Sequence, residues 1–226
     1  MKKNVLLFLI ALSGIVRAQT TVNDQLFAKG GELIKARKDD QAFPIFQMLL
    51  KSDSANVHYL QWTAFLYSRI GFRQPTDSGK KRYYFLAEYL AKKAIALDEK
   101  SADAHFAYAL ALGRFTEGAS SKDKLGYAKL IKKEAERVIE LNPKHAGAWH
   151  VLGRWHREIA NISAFEKAMI NSFYGGMPPG ASYEKAVECF KNSTSFENEY
   201  ILHKYELANT YYQMGNTQSS KTCLKE

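Results

Sequence analysis

The chain has 226 residues, with 32 Lys and Arg against 23 Asp and Glu and a formal net charge of +9. That excess is too moderate to mark a nucleic-acid-binding protein, and no nucleic acid is expected as a partner. Two cysteines, Cys189 and Cys223, exclude a disulfide scaffold.

The first element is a predicted export signal over residues 1–18. Lys2 and Lys3 precede an apolar run from Val5 to Val16, and Val16-Arg17-Ala18 puts small residues where a signal peptidase reads. The run is shorter than the ~20 apolar residues needed to span a bilayer, so it is not read as an anchor. Cleavage after Ala18 removes Lys2, Lys3 and Arg17 and no acid, which lowers the net charge from +9 to +6. The mature protein, residues 19–226, is expected to be periplasmic or secreted.

Laying the chain against itself gives five helix pairs, at 23–56, 57–101, 102–145, 146–200 and 201–226. The first has 34 residues, with Gly30, Leu33, Ala42 and Phe46 at its packing positions. Ala87, Ala91 and Ala94 mark the second helix of the next unit, which ends at Leu97. The same ending recurs at Leu141-Asn142-Pro143, where proline stops one helix and helps aim the next. Trp149, Leu152, Gly153 and His156 then fit the W-x2-L-G-x2-Y start of a tetratricopeptide repeat, with His in place of Tyr. Gly30, Ala64, Ala109, Gly153 and Ala208 take one slot in successive units, where a small residue lets paired helices approach. The fold class is therefore all-α, a tetratricopeptide-like solenoid of about five helix pairs.

The middle units are longer by 11, 10 and 21 residues. Gln74 to Gly79 reads as a loop, with Lys80-Lys81-Arg82 as a solvated helix start. In the fourth unit Ile162, Phe165, Met169 and Phe173 share one helical face, which predicts an inserted helix that packs on the array or folds across its groove. Gly175-Gly176-Met177-Pro178-Pro179-Gly180 breaks the chain, and Ser182 is the cap of the helix after it. The fifth unit stops inside its second helix, so its edge is expected to fray after about Met214 or to be buried by self-association.

From Trp149 to Tyr211 the chain resembles the regulator of microtubule dynamics family. The resemblance is carried by Leu152-Gly153-Arg154-Trp155, Ile162-Ser163, Phe165-Glu166-Lys167, Phe173, Pro178-Pro179, Tyr183-Glu184 and Ala186 to Phe190. It implies a tetratricopeptide-like fold with an inserted helix and a non-enzymatic binding role.

No H-E-x-x-H, G-x-S-x-G, C-x-x-C or P-loop spacing occurs, and neither a cofactor nor a metal is expected. His145, His150 and His156 are spaced by five and six residues, turns of roughly 500° and 600°, which do not put their rings on one helical face. In such arrays the first helix of each unit lines the concave surface. Its groove-facing positions give Phe65 and Arg69, then Phe106, Leu110 and Arg114. They continue with His150, Arg154 and Arg157, and end with Tyr205, Asn209 and Tyr212. An apolar and aromatic floor studded with guanidinium groups suits a protein partner with an acidic or C-terminal peptide segment. It also suits an anionic lipid, with the inserted helix as a lid. The bland alternative is that these arginines are solvated surface charges.

Overall fold

A computed structural model describes residues 21–173 and 176–225, and every regular element among them is helical. The export signal lies outside the described residues. Helix α1 covers 21–35. It is followed by α2 (Asp39–Ser52), α3 (Val57–Gly71), α4 (Asp77–Leu97), α5 (Ala102–Phe115) and α6 (Ser121–Leu141). The chain continues through α7 (Ala146–Asn161), α8 (Ala164–Phe173), α9 (Tyr183–Phe196), α10 (Ile201–Gln213) and α11 (Thr217–Cys223). Five pairs emerge, α1/α2, α3/α4, α5/α6, α7/α9 and α10/α11, with α8 inserted in the fourth.

Side-chain caps set most of the helix starts. Asn56, Ser101, Ser120, Ser182 and Asn216 each accept a hydrogen bond from a backbone N–H in the following turn. That satisfies donors which a helix N-terminus otherwise leaves orphaned. Thr76 does the same for Gly79, and this corrects the loop expected at 74–79: α4 already begins at Asp77. Much of the extra length of the second and third units lies in long second helices, since α4 and α6 each run for 21 residues. Lys80 to Arg82 consequently ride the first turns of α4, with Lys81 and Arg82 exposed.

The small-residue slot has the packing role expected of it. A Cβ built on Gly30 would lie 2.6 Å from the Phe46 ring, and one on Gly153 would lie 2.9 Å from the Phe190 ring. Ala64, Ala109 and Ala208 take that slot elsewhere and are buried. Trp149 donates its indole N–H to the Pro143 carbonyl at 2.8 Å, tying the turn before α7 to its first helical turn. Packing runs from neighbour to neighbour, α3 on α4 and α5, α5 on α6, α6 on α7, α7 on α9, and α9 on α10.

One more expectation needs correction. Helix α8 neither packs on the array nor crosses its groove: it buries no residue, and Phe165, Met169 and Phe173 are 75%, 45% and 68% exposed. The last unit turns at Gly215 (φ +76°) and forms α11, which packs on α10 and buries Ser220. Cys189 is buried, which pushes its thiol up to about 12, and no disulfide joins it to Cys223.

Candidate functional site: the concave groove

Helices α3, α5, α7 and α10 stand side by side as the first helices of their units, and their shared face is built by contacts between successive units. Gln61 on α3 accepts from Ser101 Oγ at 2.7 Å and donates to Asp103 Oδ2 at 3.2 Å, which locks α3 to the start of α5. One turn on, the rings of Phe65 and Phe106 lie 5.9 Å apart, and Phe106 meets His145 at 4.5 Å. Gly147 leaves room for that ring, because a Cβ there would sit 2.6 Å from Phe106. Leu110 is half-buried on the same strip. This is the apolar floor.

The arginines do not act as one class. Arg69 is held by Asp39, a buried carboxylate at the start of α2, with Nε to Oδ2 at 2.9 Å, and it also lies over the Phe65 ring. Burial raises the Asp39 pKa and lowers that of Arg69, and each group's charge offsets part of the other's shift. Arg114 donates through Nε to the Ser68 carbonyl at 3.2 Å and stacks on Phe72. Burial, with the fields of Arg154 and Arg69, holds its pKa below the usual guanidinium value. Arg157 is buried and paired with Glu206 on α10. Arg154 is different: its side chain is 53% exposed, and its nearest carboxylate oxygen, on Glu206, is 4.0 Å away.

On α10 the side chains of Tyr205 and Tyr212 are exposed, while Asn209 is half-buried. His150 is turned inward, with Nδ1 2.9 Å from Nδ1 of the buried His203. Burial, and then the charges of His203, Arg154 and Arg157, depress the His150 pKa to about 3, so it is neutral at physiological pH. His156, standing where the repeat has Tyr, is likewise buried and depressed to about 4 by desolvation.

The predicted face is thus brought together, but Arg157 and His150 belong to its buried wall, and Arg69 and Arg114 are tied down. Arg154, Tyr205 and Tyr212 remain accessible, while Phe65, Phe106 and Leu110 form the apolar strip on α3 and α5. Sequence reading missed the carboxylates that hold the arginines, because Asp39 stands on a second helix and Glu206 falls between the groove positions Tyr205 and Asn209 of α10. Their signal was an acid placed next to core residues: Glu206 directly precedes Leu207 and Ala208. Among the described residues no group of three His, Cys, Asp or Glu side chains could hold a metal ion. No described helix is long and apolar enough to cross a membrane.

Residues 26–226 match the family model for regulator of microtubule dynamics protein 1-3. Regulator of microtubule dynamics protein 1 of Bos taurus is 29% identical over 176 residues, covering 76% of this chain and 55% of that protein. The Pongo abelii protein of the same name is 26% identical over 210 residues, covering 92% and 65%. The matches thus span little more than half to two thirds of these relatives' length. Among solved structures, TTC0263, a thermophilic TPR protein of Thermus thermophilus, superposes with a TM-score of 0.65 at 16% identity, covering 89% of this chain and 87% of that one. The pilF protein of Pseudomonas aeruginosa follows with a TM-score of 0.54 at 13% identity, over 90% and 75% of the two chains. These two likenesses bear on the fold alone. The chain belongs to the regulator of microtubule dynamics protein 1-3 family, built as a tetratricopeptide-like helical array.

Proposed function

We propose that this protein is a non-enzymatic scaffold that binds a protein partner, through an acidic or C-terminal peptide segment, in its concave groove. The observation that carries this reading is the exposed guanidinium of Arg154, 4.0 Å from Glu206 of α10, a helix that also carries the exposed rings of Tyr205 and Tyr212, while α8 buries nothing against this face. Guanidinium groups take carboxylates in a planar two-pronged geometry, and aromatic rings add contact area at low entropic cost. The residues to replace follow from the packing. Arg154→Glu with Tyr205→Ala touches exposed side chains, whereas Arg114 supports the end of α3. Affinity capture from native extract, with mass spectrometry of protein and extractable lipid, should lose its partner in this double variant at unchanged helicity. A partner retained by the double variant counts against the groove.

A second reading is favoured by the exposed apolar face of α8. In it, the groove takes an anionic amphipathic lipid and α8 folds over its chains. Lipid that co-purifies without a protein partner, and is lost with Phe165→Ser and Phe173→Ser, would select it.

The sequence of residues 1–18 supports export, and we place the mature protein in a periplasm or outside the cell. Intact mass spectrometry of the native protein should give a chain that starts at Gln19; a chain retaining residues 1–18 inside the cell would refute this. Export and a role on microtubules exclude one another, so the same measurement decides whether the role in the family's name can extend to this chain.

A further inference from the structure

Helix packing in this array runs from neighbour to neighbour, but one contact leaps across it. Arg37, in the turn between α1 and α2, donates through Nη2 to Glu197 Oε1 at 2.5 Å, across 160 residues of chain. Its guanidinium also lies over the Tyr200 ring, 3.7 Å from the centroid. Glu197 and Tyr200 belong to the turn between α9 and α10, so the first unit is clasped to the junction of the fourth and fifth. The electrostatic neighbours of Arg69, at the end of α3, include both Arg37 and Tyr200, which puts the clasp at the concave face.

The two sides of the clasp differ in rigidity. Glu197 Oε2 lies 3.2 Å from Nε2 of the buried His203, whose other ring nitrogen meets His150 in the groove wall. The acid is therefore anchored to α7 and α10. Arg37 is exposed and has φ +59°, a left-handed conformation that disfavours any residue with a Cβ. A partly exposed ion pair contributes little net stability, so a competing carboxylate can replace it.

We propose that Arg37 is a further ligand-binding residue of the groove, with the Glu197 carboxylate holding the place that an acidic ligand takes. Binding exchanges one carboxylate for another on the same guanidinium, opens the contact between the first unit and the turn that joins the fourth to the fifth, and frees Arg37 to close on the ligand. This rests on the groove reading above.

The test uses hexaglutamate with a free C-terminus, and spin labels on unnatural amino acids at Lys35 and Asn198, on either side of the clasp. Glu197→Gln should broaden the distance distribution between the labels and strengthen hexaglutamate binding about fivefold. Glu199→Gln removes the same charge from an exposed neighbour and should do neither. Arg37→Ala should broaden the distances and weaken binding. An unchanged distance distribution in both Glu197→Gln and Arg37→Ala overturns the clasp. Equal strengthening by Glu199→Gln reduces the effect to bulk charge and overturns the exchange. If hexaglutamate binds but ignores Arg154→Glu with Tyr205→Ala, the groove reading is what fails. If it binds no variant, the exchange falls with the groove reading, and the distances alone report on the clasp.

Discussion

Helices α8 and α9 sit in the same unit and begin alike, yet one is structure and the other is surface. Ser163 and Glu166 form a reciprocal capping box at the start of α8: Glu166 N–H donates to Ser163 Oγ, and Ser163 N–H donates to Glu166 Oε2. Ser182 caps α9 by accepting from Lys185 N–H. Both helices carry an apolar stripe. That of α9 buries Ala186, Val187, Cys189 and Phe190 against its neighbours, while that of α8 buries nothing. Caps and periodicity make a helix; only a partner of matching shape makes it part of a core. Here the partner is α7, whose Gly153 admits the Phe190 ring.

The largest effect is expected where that fit is removed. Phe190 is fully buried and meets Gly153 and the His150 ring, so Phe190→Ala should cost about 3–5 kcal/mol in chemical denaturation. Gly153→Val puts side-chain atoms into the same ring and should also destabilise by more than 1 kcal/mol, roughly. A loss below that level in both variants would mean that α7 and α9 do not share this contact.

Next comes the buried ion pair that couples α7 to α10. Arg157→Ala leaves Glu206 with only the distant Arg154 guanidinium nearby and should cost about 3 kcal/mol or more. Replacing both partners, Arg157→Met with Glu206→Leu, should recover much of that loss, since an apolar pair carries no desolvation penalty. If the single and double variants are equally unstable, the cost lies in lost packing instead of an orphaned charge.

Acidity probes the same wall without mutation. The folded pKa values of His150 and His156, about 3 and about 4, lie below their unfolded values near 6.5. The stability these groups lend is present in full above pH 6.5, and it is lost as pH falls toward the folded values. By pH 5 each should cost about 2 kcal/mol. His105 runs the other way: its hydrogen bond with Glu134, at 2.6 Å, raises its pKa against the pull of burial, so it stabilises at low pH and loses this as pH rises. The two depressed histidines outweigh the one raised. Thermal midpoints should therefore fall between pH 7 and pH 5, and His156→Tyr should flatten part of that slope. A midpoint that rises over this interval would show that one or both depressed histidines are protonated in the folded protein.

The array could be read from the sequence because each repeat spends its strongest residues on the same local task. Gly30 and Phe46, or Gly153 and Phe190, take equivalent repeat positions because a small residue must face a large one, and the 21 extra residues of the fourth unit fall between its two. The groove was legible as a face but not as a set of free charges. Periodicity says where Arg69, Arg114 and Arg157 point; their carboxylate and carbonyl partners come from other helices or units, at offsets that no repeat encodes. The Arg37–Glu197 contact was out of reach for the same reason, because it depends on how far five units curl. The six-residue stretch from Gln74 misled through its composition: Pro75 and Gly79 suggest a loop, but Thr76 at the cap turns the residues from Asp77 onward into a helix.

The smallest effect completes the comparison between α8 and α9. Phe165 and Phe173 are as apolar as Phe190, but each is mostly exposed, so folding removes little of their surface from water. Phe165→Ser with Phe173→Ser should therefore change the unfolding free energy by less than about 0.5 kcal/mol, within the ordinary range for surface substitutions. Their weight is expected in solubility and in association, because an exposed apolar face on a helix favours contact with other molecules. The double variant should elute more symmetrically in size-exclusion chromatography at high concentration while keeping the wild-type denaturation midpoint. A destabilisation of several kcal/mol would show that α8 packs on the array in solution, and the contrast with α9 would disappear.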